Sequence, residues 1–205
     1  MNIRLFKIED LVDAQALNLQ NIPENYSLRF WTYCLLTWPT VSFVAENSQG
    51  KLVGYVLSSV EGGMKRPIRP PRHGLIDSLS VSKRYRRGGV ATRLMEKSYE
   101  AMADLGIAYV ELSVRAGNVG AQTLYDRLGY QYERTVPRYY QNGEDAFIMR
   151  RPNENYPPPK APVIRKSTTP VVKALTTPGF REKVLATIRE EKPTNGNAQG
   201  RAAGT

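Results

Sequence analysis

Hydrophobic and polar residues alternate with two different periods along the first 151 residues of this 205-residue chain. A period of two is typical of a half-buried strand, and a period near 3.6 is typical of an amphipathic helix. The period of two predicts strands over residues 2–7 and 109–114, and enrichment in β-branched and aromatic residues predicts strands over 41–46 and 51–60. Further strands are predicted over 75–81, 130–136 and 146–150. The longer period predicts helices over residues 8–21, 28–38, 91–105 and 118–128.

The order of these elements predicts the fold class. Asn-Ser-Gln-Gly separates the second and third strands, which is a hairpin signal and places an antiparallel pair early in the chain. Gly106 and Gly129 end the last two predicted helices, as glycine commonly does. We therefore expect an α/β domain of the α+β type, with a mixed, mainly antiparallel sheet flanked by helices, rather than a doubly wound parallel sheet.

Residue usage changes after Arg151 and predicts the domain boundary. Residues 152–205 hold eight of the 14 prolines and only scattered aliphatic residues. We expect a folded domain over residues 1–151 and a basic, proline-rich, mostly disordered tail over 152–205. Within the tail, Thr177 and Pro178 suit a helix start and predict a short helix over 178–191, although a helix of this length is marginal in isolation.

The net charge of +10 is shared between the two parts of the chain. The tail holds 9 basic and 4 acidic residues, or +5, and residues 1–151 carry the other +5. Residues 62–72 contain three prolines and four basic residues, which predicts an exposed basic loop. This distribution suits a polyanionic partner such as RNA or an anionic cofactor, and it equally suits a solubilising surface.

Scarce cysteine and histidine exclude several kinds of site. Cys34 is the single cysteine and His73 the single histidine, so neither an internal disulfide nor a histidine-rich zinc site is expected, and we predict no metal. Cys34 is expected to be a buried small hydrophobe, and His73 lacks the context of a catalytic triad. The charged start of the chain predicts neither a signal peptide nor a membrane anchor, which favours the cytosol.

The candidate chemistry centres on the turn Arg-Arg-Gly-Gly-Val-Ala at residues 86–91, between a predicted strand and a predicted helix. The first N–H groups of a helix have no intrahelical partner and bind phosphate. The adjacent glycines let the backbone approach a ligand closely, and the arginines make the local field favourable for a polyphosphate. Since neither the GxGxxG nor the GxxxxGK[ST] pattern occurs, nucleotide hydrolysis is disfavoured.

This turn resembles the [QR]xxGx[GA] acetyl-CoA signature of the GNAT acetyltransferase family. Asn118, Tyr125 and the Leu-Gly-Tyr at 128–130 resemble the second cofactor segment of that family, so the resemblance covers roughly residues 75–130. It implies a GNAT fold and acetyl-CoA as the cosubstrate. The cofactor-binding residues that it implies are Leu79, Val81, Arg86, Arg87, Gly88, Gly89, Val90, Ala91, Thr92, Asn118 and Tyr125.

Within this family, four segments are similar to the catalytic subunits of NatA-type N-terminal acetyltransferases: Ile-Pro-Glu-Asn-Tyr at 22–26, Trp-Pro at 38–39, His-Gly at 73–74 and the stretch 138–146. The similarity implies acetylation of protein N-termini that begin with Ser, Ala, Thr, Gly or Val after removal of the initiator Met, and of acidic N-termini by the free subunit. The substrate-binding residues that it implies are Ile22, Pro23, Glu24, Tyr26, Arg115 and Tyr139.

The same similarity implies the partners and the location of the chain. The partners are nascent polypeptide N-termini and a large helical-repeat auxiliary subunit, through which the enzyme binds the ribosome. The expected location is therefore cytoplasmic and ribosome-associated, with room for a nuclear fraction, and no membrane is involved.

Glu24 and Tyr125 are the candidate catalytic residues. An α-amine has a reference pKa of about 8, so a carboxylate acting through water suffices to accept its proton. By resemblance Glu24 is that base, and Tyr125 donates a proton or a hydrogen bond to the leaving thiolate. The residues alone also allow a solvated Glu24 and a Tyr125 that only packs on the sheet. The amine would attack the thioester directly, between the strands that end at Val81 and Val114, without a covalent enzyme intermediate.

Other functions remain open at this point. A NatB-like, lysine or small-amine acetyltransferase would share the cofactor signature, which says nothing about the acceptor. A basic RNA-binding module would explain the positive charge, although the sequence lacks zinc spacing, an RNP pattern and a helix-turn-helix signature.

Overall fold

A computed structural model of the chain describes residues 1–62 and 71–157. The strands in these residues are β1 (Asn2–Leu5), β2 (Phe43–Glu46), β3 (Leu52–Glu61), β4 (His73–Val81), β5 (Tyr109–Arg115), β6 (Gln131–Val136) and β7 (Ala146–Pro152). The α-helices are α1 (Leu11–Asn21), α2 (Leu28–Thr37), α3 (Val90–Asp104) and α4 (Val119–Arg127). Short 3-10 turns precede α1 and α3.

The strands form one sheet in the order β1-β2-β3-β4-β5-β7-β6. Across the described residues β4 and β5 pair in parallel, and the other neighbouring strands pair antiparallel. A parallel pair needs a crossover connection, which α3 supplies between β4 and β5. The expected mixed, mainly antiparallel sheet with flanking helices is confirmed.

β3 lies near the middle of the sheet and packs against helices on both faces, because successive side chains of a strand point to opposite faces. The Tyr55 ring is fully buried against Trp31 of α2, with the ring centroids 5.1 Å apart. On the other face, the Ser58 hydroxyl lies 2.7 Å from the hydroxyl of Ser98 in α3. The core therefore has two layers, with α1 and α2 on one face and α3 on the other.

The two N-terminal helices form largely where the hydrophobic pattern predicted them. Ser27 caps α2, since its hydroxyl accepts a hydrogen bond from the Phe30 N–H. Trp31 and Leu35 share the buried face of α2, as their spacing predicted, but Leu28 at its start is 51% exposed. Four further apolar residues of this region are exposed, namely Ile8, Val12, Leu19 and Leu36.

The first predicted helix begins later than expected. Residues Ile8–Asp10 form a 3-10 turn, and the α-helix starts at Leu11. The Asp10 carboxylate accepts a hydrogen bond from the Lys7 N–H at 2.9 Å and pairs with the Arg4 guanidinium at 2.6 Å. This side chain therefore ties the start of the helix to β1, a contact that hydrophobic periodicity does not report.

The folded part runs past Arg151, the predicted end of the domain. β7 ends at Pro152, and the buried Asn153 side chain donates a hydrogen bond to the Ile107 carbonyl at 2.9 Å. The Asn153 N–H donates to the Ala108 carbonyl, also at 2.9 Å. Asn153 thus fixes the end of β7 to the loop before β5. The predicted tail beyond residue 157, its helix over 178–191 and most of the basic loop 62–72 lie outside the described residues.

Within residues 1–62 and 71–157, no helix combines the length and the apolar character that crossing a membrane requires.

Candidate functional site

The site begins where β4 and β5 part. The two strands pair only from Gly74 to Ile76 on β4 and from Val110 to Leu112 on β5. Beyond these pairs β4 continues along β3 to Val81, and β5 continues along β7 to Arg115. The facing edges of both strands therefore leave room for a ligand between them, at the ends predicted from the sequence.

A β-bulge in β4 lies at the same point. Leu57 pairs with Ser78 and Ser58 pairs with Ile76, so Asp77 is an extra residue without a register partner on β3. A bulge bends its strand and re-aims the side chain that it carries. Asp77 is also the first residue of β4 beyond its last pair with β5, which is Ile76 with Leu112. Nothing in the alternating pattern of this strand predicted the bulge.

A cleft of about 1190 Å³ opens from this parting. Every predicted site residue except Gly88 lines it. We call the part lined by residues 86–92 and the start of α4 the turn end. The other part, the carboxylate end, is lined by residues 22–24 and 26, together with Asp77, Arg115, Tyr139 and Tyr140. The structure thus brings the predicted cofactor and substrate residues into one cleft, while their roles stay predictions.

The backbone of the turn end is shaped by two residues with left-handed conformation. Arg87 has a φ of 65°, and Gly89, the N-cap of α3, has a φ of 75°. A Cβ on Gly89 would meet nothing within 4 Å, which leaves the space above the first turn of α3 open to a ligand. Gly88 does not have a positive φ, so the backbone conformation favours glycine only at position 89 of the predicted pair.

The Arg86 side chain binds the protein itself. Its Nε donates to the Val81 carbonyl at 3.0 Å, and its Nη2 donates to Asn21 Oδ1 at 2.8 Å. Asn21 is the last residue of α1 and directly precedes the loop 22–26. Arg86 therefore links the turn end to the carboxylate end, a connection that the sequence analysis did not anticipate.

Helix α4 contributes Asn118 and Tyr125 to the cleft. Asn118 caps α4 because its side-chain oxygen accepts from the Ala121 N–H at 3.2 Å, which leaves its amide group as a donor. Tyr125 is buried and packs against Tyr130, with ring centroids 5.9 Å apart. Burial raises the pKa of Tyr125 to about 12, so its hydroxyl is a proton donor at neutral pH.

The loop 22–26 is held against the sheet by a buried amide. The Asn18 side chain donates to the Glu24 carbonyl and accepts from the Tyr55 hydroxyl at 2.6 Å. The Tyr55 hydroxyl also contacts Ser78, the residue after the bulge, at 2.8 Å. Since Asn18 is 1% exposed, these bonds are shielded from water and fix the loop firmly. Asn18 was not among the predicted site residues.

Arg115 joins the two sides of the carboxylate end. Its guanidinium pairs with Glu24 on the loop before α2 and with Glu144 on the β6–β7 loop, the latter at 2.6 Å. It also stacks over the Tyr140 ring, 4.0 Å from the centroid. Desolvation opposes its charge, but the hydrogen bonds that the guanidinium donates to both carboxylates raise the pKa of Arg115 above its ordinary value.

Glu144 is a residue that sequence reasoning missed. The hydrogen bond from Arg115, followed by one from the Gly117 N–H at 2.9 Å, lowers the pKa of the Glu144 carboxyl. Glu144 is therefore ionised at neutral pH and holds the Arg115 guanidinium through this ion pair. Glu144 lies in the turn Asn-Gly-Glu-Asp at 142–145, whose composition indicates only a loop.

Cys34 and His73, to which the sequence analysis gave no site role, do not line the cleft. Cys34 is fully buried in the core, as expected, and burial raises the pKa of its thiol. His73 stacks on Tyr109 at 4.9 Å between centroids, and its Nδ1 lies 2.9 Å from the Pro71 carbonyl. Within the described part of the chain, no group of three or more His, Cys, Asp or Glu could hold a metal ion.

Comparisons with known proteins agree with this geometry. Residues 7–130 match the acetyltransferase (GNAT) family. The chain is 42% identical over 153 residues to the N-alpha-acetyltransferase daf-31 of Caenorhabditis elegans, covering 74% of this chain and 82% of that protein. It is also 42% identical over 153 residues to the N-terminal acetyltransferase A complex catalytic subunit ard1 of Schizosaccharomyces pombe, covering 74% and 85%.

A solved structure is similar as well. The fold matches a chain of the NatB acetyltransferase complex bound to CoA and MES with a TM-score of 0.65 and 28% identity, covering 74% of this chain and 99% of that one.

The conformation of Arg87 gives a test of the turn that needs no ligand. Both Arg87→Gly and Arg87→Ala remove the charge, but glycine adopts a positive φ without steric cost. We expect Arg87→Gly to be more stable than Arg87→Ala by about 1 kcal/mol in urea unfolding. At Arg84, in the preceding 3-10 turn, the order should reverse, since φ there is not positive. Equal stability of the two Arg87 variants would contradict the left-handed turn.

Proposed function

The chain belongs to the GNAT acetyltransferase family and is an N-terminal acetyltransferase, and we propose that it is the catalytic subunit of a NatA-type enzyme. The observation that supports the proposal most directly is the carboxylate end, where Arg115 joins the Glu24 loop to the β6–β7 loop beside Tyr139. Those two loops are the segments that resemble NatA-type catalytic subunits in the sequence.

Acetyl-CoA is the cosubstrate of the family, and the turn end fits it. The open space above Gly89 and the free N–H groups at the start of α3 suit the pyrophosphate, with Arg87 adding charge. We assign Asn118 as the donor to the pantetheine arm, with Leu79 and Val81 along the β4 side. When bound, acetyl-CoA supplies the acetyl group as a thioester. Since Arg86 is occupied by Asn21 and Val81, we assign it to shaping the turn.

The carboxylate end is proposed to receive the α-amine of the acceptor. Ile22, Pro23 and Tyr26 shape the pocket for its first residue, and Tyr139 hydrogen-bonds its backbone. Glu24 accepts the proton of the amine through water, because its Oε1 is held by Arg115 and its second oxygen can accept. The deprotonated amine attacks the thioester carbonyl directly, at the parting of β4 and β5. Arg115 orients Glu24 in this scheme and does not touch the reacting atoms.

Tyr125 is proposed to stabilise the leaving thiolate. With its pKa raised to about 12, the Tyr125 hydroxyl is protonated at neutral pH and can donate a hydrogen bond there. Packing against Tyr130 holds the ring in place. Tyr125 therefore packs against its neighbour and, in this proposal, also donates the hydrogen bond to the thiolate.

A NatA-type acceptor is proposed because sequence identity to the NatA catalytic subunit ard1 is 42%, whereas identity to the NatB complex chain is 28%. The preferred first residues would be Ser, Ala, Thr, Gly and Val, exposed after removal of the initiator Met. The NatB-like and lysine alternatives stay testable, while the family assignment leaves the RNA-binding module without support as the main function.

A partner subunit is part of the proposal. The relative in Schizosaccharomyces pombe is named as the catalytic subunit of a complex. On this chain, Val12, Leu19, Leu28 and Leu36 of α1 and α2 are exposed apolar residues, between 51% and 75% accessible. Exposed apolar surface of this kind is typical of a protein interface. We propose that a large helical-repeat subunit covers it and binds the ribosome, which would place the enzyme in the cytoplasm with an additional nuclear fraction.

Acceptor choice is tested with a peptide panel and acetyl-CoA, with and without the auxiliary subunit. Peptides that begin with Ser, Ala, Thr, Gly or Val should be acetylated on the α-amine, and mass spectrometry locates the acetyl group. A peptide with a blocked N-terminus and an internal Lys should remain unmodified. Failure to use these first residues would contradict the NatA-type acceptor, and modification of the Lys peptide would indicate a lysine acetyltransferase.

The role of Glu24 is tested by Glu24→Gln, which keeps the shape of the side chain and removes its basicity. We expect kcat to fall by roughly a factor of 100 while the KM for acetyl-CoA is unchanged. Glu9→Gln makes the same chemical change at an exposed residue and should leave kcat unaltered. Thermal unfolding of the variant controls for loss of the pair with Arg115. Wild-type turnover across pH in a folded Glu24→Gln enzyme would exclude the base role.

Tyr125→Phe removes one hydroxyl without changing the packing volume. Loss of a hydrogen bond to a developing charge predicts a fall in kcat of about tenfold or more, with little change in KM. The control is Tyr130→Phe, a neighbouring buried ring outside the cleft lining, which should keep kcat within about twofold. Because burial raises the pKa of Tyr125 to about 12, the wild-type rate should show no loss from its ionisation near neutral pH. An unaltered kcat in Tyr125→Phe would restrict this residue to packing.

A further inference from the structure

Arg127 is a cation of the cleft lining that the proposed mechanism does not use. The other arginines of the lining are Arg86, Arg87 and Arg115. Protein groups bind the side chains of Arg86 and Arg115. In the described part of the chain, no hydrogen bond or ion pair engages the side chain of Arg87 or Arg127. The cleft therefore offers two uncommitted guanidinium groups, one from each of its walls.

One face of α4 carries Arg127 along the cleft. Gly120, Thr123 and Leu124 line the cleft as well, and they precede Arg127 by seven, four and three residues. Positions with these spacings lie on one face of an α-helix. The rise of about 1.5 Å per residue places Arg127 about 10 Å further along the helix than Gly120. The lining thus extends from the cap of α4, at Asn118, to the last residue of the helix.

The end of α4 lies on the side of the sheet that α3 covers. Arg151 of β7 pairs with Glu96 of α3 at 3.0 Å and stacks over the Tyr99 ring, 3.6 Å from its centroid. The Nε of the same side chain would lie 3.7 Å from a Cβ on Gly129, two residues after Arg127. The end of α4 and α3 therefore share one side of the sheet, opposite to α1 and α2.

No carboxylate of the described cleft lining lies on α3 or α4. The carboxylates that line the cleft are Glu24, Asp77 and Glu111, which belong to the loop before α2 and to β4 and β5. Asp126 directly precedes Arg127, but adjacent positions of a helix do not face each other. The charge of Arg127 is therefore available to an anionic group of a ligand on this side of the sheet.

Acetyl-CoA carries two separate phosphate groups, the pyrophosphate and a monoester on the 3′-oxygen of its ribose. The turn at residues 86–91 is assigned to the pyrophosphate, which leaves the 3′-phosphate without a partner. A phosphate monoester carries a charge of about −1.5 to −2 at pH 7. The planar guanidinium of arginine matches such a group with two parallel hydrogen bonds.

We propose that Arg127 binds the 3′-phosphate of acetyl-CoA and makes the enzyme select this cosubstrate over its 3′-dephospho form. The inference rests on the proposed binding of acetyl-CoA at the turn end, and it deepens that proposal by assigning the second anionic group. A cation in the last turn of a helix also interacts favourably with the helix dipole. That interaction affects the stability of the chain equally with either ligand, so a comparison of the two ligands separates the two roles.

The test measures the Kd of CoA and of 3′-dephospho-CoA for the full chain by isothermal titration calorimetry. The wild type should bind CoA about tenfold more tightly, because the contact between two charged groups is lost with the 3′-phosphate. Arg127→Gln should reduce this ratio to about twofold or less by weakening the binding of CoA alone. The control is Arg93→Gln, which removes the same charge at an exposed residue of α3 outside the cleft lining and should keep the wild-type ratio.

Arg127→Lys covers the case in which Arg127→Gln does not fold. It keeps the charge at the end of α4, and its ratio should be about threefold below that of the wild type, because an ammonium group lacks the planar fork. Equal Kd values of the two ligands for the wild type would overturn the proposal. So would a wild-type ratio in the Arg127 variants, or an equal fall of the ratio in Arg93→Gln. Binding of neither ligand would instead contradict the proposed acetyl-CoA site itself.

Discussion

The site depends on one constraint, which is that the parallel pair β4–β5 ends after three register pairs while both strands continue. Each strand is then held on its outer side only, β4 by β3 and β5 by β7. The turn at residues 86–91 follows the free end of β4, and the cap of α4 follows the free end of β5. A single parallel pair inside an otherwise antiparallel sheet thus creates both the cleft and the helix N-termini that face it.

Polar contacts then hold the loops against this rigid frame. Asn18 fixes the loop 22–26 to β3 through Tyr55, and Arg115 joins that loop to the β6–β7 loop. The hydrogen bond between Arg86 and Asn21 connects the same loop to the turn at residues 86–91. The loop proposed to contact the acceptor is therefore positioned from three directions, which is how a site on loops can keep the geometry that catalysis requires.

Local patterns were sufficient to predict the strands and the helices and to single out the turn at 86–91, because each depends on residues that are near in sequence. Acetyl-CoA as the ligand of that turn came from the resemblance. The bulge at Asp77 was not predictable in this way, since it is defined by the register against β3. The pair between Arg115 and Glu24 joins residues 91 positions apart, and composition gives no sign of it. Glu24 and Tyr139 were found only through resemblance, as their residue types in loops are unremarkable. The late start of α1 and the extended end of β7 arise from side-chain contacts of Asp10 and Asn153.

The parting of β4 and β5 also divides the cleft between two stretches of the chain. Residues up to the start of α3 supply one wall, and residues from β5 onward supply the other. Between the strands themselves, the walls are joined by Gly74–Ile76 and Val110–Leu112, reinforced by the crossover helix α3. Neither stretch alone can form the cleft, so the site depends on long-range pairing between the two, with the three-pair seam of β4 and β5 at its base.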